Sequence, residues 1–314
     1  MTTASAPAPP IIHIGLAKTA TTVLQRHVFR TLAAEAGLSY LGSRALAEFI
    51  DAREAGRPVP AHQPRPGGEL ISSESLAGWN PNRWLANLAA NRDHFGPEAT
   101  VLLVIRQPKT WLRSLYQQLC QHEGEWIHPH EFFLAACPHD PGNLRPRFDV
   151  STYDLGALIA AHAAGFDRLI VQKYETLSDG RFLTALGVSA AGQAHFMQEL
   201  TQRRTNRGYS RRAARLGFAL AALRERLFGR KRLLPPSVPF RRSRFDRLYR
   251  KVAQQGIDRF LPYQPYQIDW AALSTVDIGR LERDYAALPA FAEYRHGRRV
   301  DQDGQDGPET AGQG

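Results

Sequence analysis

Sulfur is scarce: Cys120 and Cys137 are the only cysteines in 314 residues, beside two methionines. Two thiols in so long a chain make neither a disulfide scaffold nor a metal cluster of paired-ligand spacing, so both read as structural and no metal is expected. Long apolar runs are also missing. Nothing approaches the roughly 20 uncharged residues of a membrane-crossing helix. Met1 to Pro10 carries no basic residue and no apolar stretch. Neither a secretory signal nor an Arg-rich transit segment can be read there, and the expected compartment is the cytoplasm. Disorder throughout is excluded as well, because hydrophobic residues make up 43% and charged residues 22% of the chain, the proportions of a folded protein.

Acidic residues are few in one place. The formal charge is +10, yet Arg203 to Arg259 holds 16 Arg and 2 Lys against Glu225, Asp246 and Asp258, a net of +15 that leaves the remainder at −5. A basic segment on a mildly acidic body implies an anionic partner: nucleic acid, a membrane surface, an acidic glycan or a phosphorylated co-substrate.

Ile11 to Ile14 is a short β-branched run, followed by Gly15, a polar turn, and helical periodicity through Val23, Leu24, Val28 and Leu32. Further buried-strand patterns cover Glu69 to Ser73, Thr100 to Ile105 and Arg168 to Val171, separated by helical patterns at Asn82 to Asn91, Pro108 to His122 and Ser151 to Ala164. Strands alternating with helices predict an α/β three-layer sandwich, a central and mainly parallel sheet flanked by helices. Beyond about residue 190 the strand pattern stops, and the chain is expected to be helical and basic to residue 297. The expected organisation is a disordered start over 1–10, one domain over 11–297 with its core at 11–190, and a disordered tail over 298–314. Asp51 to Gly68 and Pro138 to Arg147 read as surface loops rich in Pro, Gly and Arg.

Chemistry concentrates at the ends of the strands. The first strand runs into Gly15-Leu16-Ala17-Lys18-Thr19-Ala20-Thr21-Thr22 and then a helix. Main-chain N–H groups and the positive end of the helix, completed by one lysine and three hydroxyls, make a cradle for a phosphate. The spacing is not that of the nucleoside-triphosphate loop, which has Gly-x-x-x-x-Gly-Lys-Ser/Thr; here Lys18 follows Gly15 by three residues and Ala17 precedes it. This counts against an ATPase or a small-molecule kinase. The other reading of the turn is a threonine-capped connection with a solvated lysine. A second constellation follows the strand Thr100 to Ile105: Arg106, Pro108, then Ser114 and Tyr116 on a helix.

Taken together, these two motifs resemble those of the sulfotransferases. Lys18-Thr19-Ala20-Thr21-Thr22 resembles the loop by which that family grips the 5′-phosphosulfate of 3′-phosphoadenosine 5′-phosphosulfate (PAPS), and Arg106 with Ser114 resembles its 3′-phosphate site. The resemblance covers about residues 11 to 190 and implies a sheet arranged as in P-loop nucleoside triphosphate hydrolases. It departs from the family at Ala20, where glycine is usual; Ala20 is expected to open the helix without a positive φ. By the resemblance PAPS is the co-substrate, held by Lys18, Thr19, Ala20, Thr21, Thr22, Arg106 and Ser114, and Lys18 meets the charge that develops on the leaving oxygen. Leu70-Ile71-Ser72-Ser73-Glu74-Ser75 places Glu74 where carbohydrate sulfotransferases have their glutamate base. The acceptor would be a hydroxyl of a carbohydrate or of another small or lipid-linked alcohol. Against this stand plainer readings: Arg106 in a surface salt bridge, and Glu74 as a helix-start carboxylate favoured by the helix dipole.

His13, inside the first strand, reads as a structural histidine. Glu175, in Tyr174-Glu175-Thr176-Leu177, reads as a cap partner. The tryptophans read as core. His122, His128 and His130, near Glu123 and Glu125, lack the His-x-x-x-His pair of a helical metal site. The arginines from 203 to 211 fall where the family closes a loop over the nucleotide. Leu216, Leu220, Leu223 and Leu227 share one helical face, which fits either an amphipathic helix packed on the core or one lying on a membrane surface. A non-catalytic protein binding nucleic acid or an acidic surface is the alternative class of function, although no helix-turn-helix, zinc or RNA-binding motif accompanies the basic segment.

Overall fold

The structure is a computed structural model, and it describes residues 8–59, 61–123, 126–135, 148–202, 210–228 and 262–300. Cys137, the 138–147 loop, the arginines at 203–207, the prolines at 235–239 and residues 301–314 lie outside the described residues, as do residues 1–7. The chain divides into two compact units. The first comprises Met1–Pro108, Asp154–Thr205 and Arg280–Gly314, the second Lys109–Tyr153 and Asn206–Gly279.

The strands, in chain order, are β1 (Ile11–Gly15), β2 (Ser39–Gly42), β3 (Glu69–Ser72), β4 (Thr100–Ile105), β5 (Phe133–Leu134), β6 (Phe148–Asp149), β7 (Arg168–Lys173), β8 (Phe291–Arg295) and β9 (Arg298–Val300). The first unit holds a seven-stranded sheet in the order β2-β3-β1-β4-β7-β8-β9. Its first five members are parallel, and β8 and β9 are antiparallel additions. The central strands carry almost unbroken apolar sequence because both faces are covered: every residue from Val101 to Ile105 is buried. On one face Leu24, Val28 and Phe29 pack with Phe182, Leu183 and Phe196 over Leu70, Leu102, Val104 and Ile170. The helices Trp84–Phe95 and Leu155–Gly165 pack against each other, with Leu88 beside Gly165. The expected α/β layout with a mostly parallel sheet flanked by helices is what the first unit contains.

Three strands of this sheet escape the sequence reading. β2 is a four-residue edge strand with only Leu41 buried. β8 lies between β7 and β9, β9 forms the edge of the sheet, and their two-residue turn, His296-Gly297, has φ of 46° and 80°, the doubly positive geometry that suits a tight antiparallel hairpin. The strand signal therefore does not end at residue 190, and Arg298–Val300 belongs to the sheet rather than to a tail. Edge strands need few apolar residues, so a search for buried runs passes over them.

In the second unit, the helix Pro108–Glu123 buries Trp111, Leu112, Leu115 and Tyr116, one helical stripe. Tyr116, Phe132, Phe133, Phe148 and Trp270 form an aromatic core around the short parallel pair β5 and β6. The helix Arg211–Phe228 sets Leu216 and Leu220 against Ala213 and Trp126, whereas Leu223 is 51% exposed. Trp84 and Trp111 are core residues, as expected, and Trp79 and Trp126 are half-buried.

Candidate functional site

In an open parallel sheet, ligands bind beyond the carboxyl ends of the strands, where consecutive connections leave in opposite directions. The chain passes from β1 to β2 on one side of β1, returns through β3, and crosses to β4 on the other side, so β1 and β4 flank that position. Lys18 follows β1, Arg106 follows β4, and Glu74 follows β3.

The turn after β1 is built from unusual backbone. Lys18 has φ 70° and Ala20 φ 59°, both left-handed, while Thr19 between them does not have a positive φ. Alternating handedness turns successive N–H groups into one concavity, the geometry of an anion nest. Ala20 therefore does not open the helix with helical dihedrals: it precedes the helix in a left-handed conformation that disfavours a Cβ. The expectation of a negative φ there is corrected, and glycine's usual place in the resembling loop has a steric reason. The helix continues as Thr21–Val23, a π-helical turn Leu24–Phe29, and Arg30–Glu35.

The threonines divide their tasks. Thr19 is fully buried, and both its N–H and its hydroxyl donate to the carbonyl of Leu16, at 3.2 and 2.6 Å, so its side chain closes the turn. Thr22 is exposed. Thr21 is 3% exposed, and its hydroxyl has no hydrogen-bond partner. A buried polar atom left without a partner is costly, and at the start of a helix it is a group that an anion can satisfy.

Lys18 and Glu74 are half-buried and electrostatically opposed. Burial pushes the Lys18 ammonium below its ordinary pKa, an effect that Glu74 opposes and Arg106 reinforces. Burial likewise raises the Glu74 carboxyl, with Lys18 pulling it back. Both pKa values are thus moved from their ordinary values toward the neutral range, and for a carboxylate this is the direction that suits a general base. Ser73 starts the short turn bearing Glu74: its hydroxyl accepts from Ser75 N–H at 3.2 Å and pairs with the hydroxyl of Ser43 at 3.0 Å.

Arg106 reaches back across the β1/β4 boundary. One of its amines donates to the carbonyl of Lys18 at 2.7 Å, and its guanidinium lies 4.5 Å from the centre of the Tyr174 ring. The arginine for which the resemblance implies a 3′-phosphate contact thus holds the left-handed lysine. The backbone after it is braced. Glu175 accepts from Gln107 N–H at 3.0 Å and from the Tyr285 hydroxyl at 2.5 Å, and the Gln107 side chain donates to Glu282 at 2.7 Å. Glu175 is therefore a structural partner of the main chain, the part the sequence suggested for it. The roles of Tyr174, Glu282 and Tyr285 carried no local signal, since the last two lie more than 170 residues beyond Arg106 in the chain.

Ser114 belongs to the second unit, where it is half-buried on the helix Pro108–Glu123. The structure brings together Lys18, Thr19, Ala20, Thr21, Thr22, Glu74 and Arg106 within the first unit. No family model matches this chain, and no curated protein matches it.

Proposed function

We propose that the chain is a sulfotransferase that moves a sulfuryl group from PAPS to an acceptor hydroxyl, on a sheet of the P-loop-like kind. The observation that carries this reading is the convergence of an anion nest, the opposed pair Lys18 and Glu74, and Arg106 at the carboxyl ends of three adjoining strands. PAPS supplies an activated sulfuryl group whose departure leaves a phosphate oxygen carrying new negative charge. The buried hydroxyl of Thr21, with the N–H groups opening its helix and the exposed hydroxyl of Thr22, holds the 5′-phosphate. Thr19 shapes the turn. Lys18 donates to the leaving oxygen, where a cation in a partly dry site stabilises developing charge. Arg106 is the proposed contact of the 3′-phosphate.

Glu74 takes the proton of the attacking hydroxyl as the new sulfur–oxygen bond forms and the sulfur–oxygen bond to phosphate breaks, so the acceptor leaves as a sulfate ester and the nucleotide as adenosine 3′,5′-bisphosphate. In-line transfer of this kind depends on positioning and charge more than on covalent chemistry by the protein. Incubating the chain with ³⁵S-labelled PAPS and pooled carbohydrate, phenolic and lipid-linked alcohols tests the reading. Label should pass to an acceptor with the natural chain and not with Glu74→Gln. Label remaining on the nucleotide or released only as free sulfate, with every pool, would overturn it.

A further inference from the structure

Beneath the turn lies a buried polar chain that the proposed chemistry leaves unused. His13 and Ser72 are register partners on the adjoining strands β1 and β3 and are both fully buried. The Nδ1 of His13 lies 2.8 Å from the Ser72 hydroxyl. Gln25, on the helix after the turn, donates its amide to the same hydroxyl at 3.2 Å and to the Ser72 carbonyl at 3.1 Å. Ser72 Oγ accepts from Gln25 and also meets the Tyr40 hydroxyl; with Tyr40 donating as well, the one Ser72 proton points to His13 Nδ1 and the imidazole carries its own proton on Nε2. Burial lowers the His13 pKa to about 3, so the ring is neutral across the physiological range.

The Nε2 atom of His13 has no partner, and neither has the hydroxyl of Thr21. Both face Gly15: a Cβ built there would lie 2.7 Å from Thr21 Oγ1, 2.8 Å from His13 Cε1 and 3.1 Å from His13 Nε2. Glycine is thus what allows the imidazole and the hydroxyl to converge on one spot under the anion nest. Two buried, unsatisfied polar atoms at one glycine are more than packing needs.

We propose that His13 is a positioning residue for anion recognition: its Nε2–H donates to Thr21 Oγ1 in the liganded state and leaves the Thr21 proton aimed at the bound phosphate. This rests on the nucleotide reading above and names the relay that serves it, Gln25 to Ser72 to His13 to Thr21. A hydroxyl can donate only one proton, and an acceptor bond from below directs that proton upward. His13 touches no phosphate and acts only through Thr21.

The test is a double-mutant cycle read by calorimetric affinity for adenosine 3′,5′-bisphosphate, with inorganic phosphate as a second probe. His13→Asn should weaken binding by about tenfold, in line with one lost hydrogen bond to a charge-bearing network. Thr21→Val should weaken it at least as much, and the double variant should bind no worse than Thr21→Val alone. Losses that multiply in the double variant, or an unchanged affinity in His13→Asn, overturn the proposal. Because His13→Asn can unfold a core, nitrogen NMR of the natural chain gives an independent reading. It should show an Nε2–H tautomer before ligand and a displaced Nε2–H signal after it; an Nδ1–H tautomer, or no displacement on saturation, overturns the relay. A natural chain that binds phosphate but not the nucleotide refutes the nucleotide reading while the cycle still decides the role of His13; one that binds neither probe refutes both.

Discussion

The turn after β1 and the exit from β4 lie side by side at the same edge of the sheet, yet they are made in opposite ways. The turn after β1 keeps two non-glycine residues left-handed and leaves the buried hydroxyl of Thr21 without a partner. The exit from β4 is braced in every described direction that matters: Glu175 on the Gln107 N–H, Glu282 on its side chain, Tyr174 under Arg106, and Tyr285 behind Glu175. Strain and unmet hydrogen bonds persist in a fold only where surrounding structure enforces them, and they cluster where a ligand is received. The braced exit supplies that enforcement, because Arg106 holds the Lys18 carbonyl. One region holds strain and an unmet hydroxyl, and the other braces it.

The contrast can be broken most severely at the lysine. Lys18→Ala should lower turnover by roughly a hundredfold to a thousandfold, the usual cost of losing a preorganised donor at developing charge, with nucleotide affinity reduced much less. Equal losses in turnover and affinity would make Lys18 a binding residue only.

Arg106→Ala tests whether the braced exit acts on the turn. If Arg106 served the 3′-phosphate alone, binding of adenosine 5′-phosphate, which lacks that group, would be untouched. The bond to Lys18 predicts instead a loss of about fivefold to tenfold even for this shorter nucleotide, the worth of one hydrogen bond from a charged donor. Calorimetry on both nucleotides separates the two effects, and Arg106→Lys controls for the lost charge.

The electrostatic opposition of Lys18 and Glu74 fixes the shape of the pH profile. The proposed transfer needs Glu74 deprotonated and Lys18 protonated. Burial raises the first pKa above the ordinary 4.5, and burial lowers the second below the ordinary 10.5. Hence kcat/KM should rise with pH through a midpoint above 4.5, fall through one below 10.5, and give a bell narrower than the free side chains would produce. The same shifts have a stability sign. A raised Glu74 pKa contributes stability that is complete below the unfolded value and is lost as pH climbs through the folded value. A bell with limbs at or outside the ordinary values would place neither group in the reaction.

Ala20→Gly gives the smallest and most local effect. The left-handed alanine costs roughly 1–2 kcal/mol, while glycine's greater unfolded freedom returns about 0.4–1 kcal/mol of that. A net gain of up to about 1.6 kcal/mol, or a few degrees in Tm, is expected. A drop in Tm would mean that the methyl of Ala20 packs to more advantage than its backbone costs.

The parts of this picture that sequence reveals are those governed by burial. β1, β3, β4 and β7 are visible as apolar runs because helices cover both of their faces, and the helix from Pro108 is visible from its stripe of Trp111, Leu112, Leu115 and Tyr116. β2 and β9 are not, since an edge strand satisfies itself with polar residues and backbone pairing, and neither is β8 beside the edge, where only Ala292 is buried. At the site, Lys18, Glu74 and Arg106 are legible because each follows a recognisable strand. The left-handed Ala20 is not, because alanine's intrinsic preference is helical and only the fold overrides it. Nor does any local pattern distinguish the task of Thr19, which closes the turn, from that of Thr21, whose hydroxyl stays unmet. The bracing by Glu282 and Tyr285 comes from topology, which returns distant chain to the exit of β4.

The central claim is that the turn after β1 and Arg106 grip one nucleotide phosphorylated at both ends. Calorimetric titration of the natural chain with adenosine 3′,5′-bisphosphate and with adenosine 5′-phosphate tests it directly. One saturable site, at least tenfold tighter for the bisphosphate, is the predicted result, since a second charged contact contributes about 1.5–3 kcal/mol. Equal affinity for the two nucleotides, or no binding of either, would contradict it.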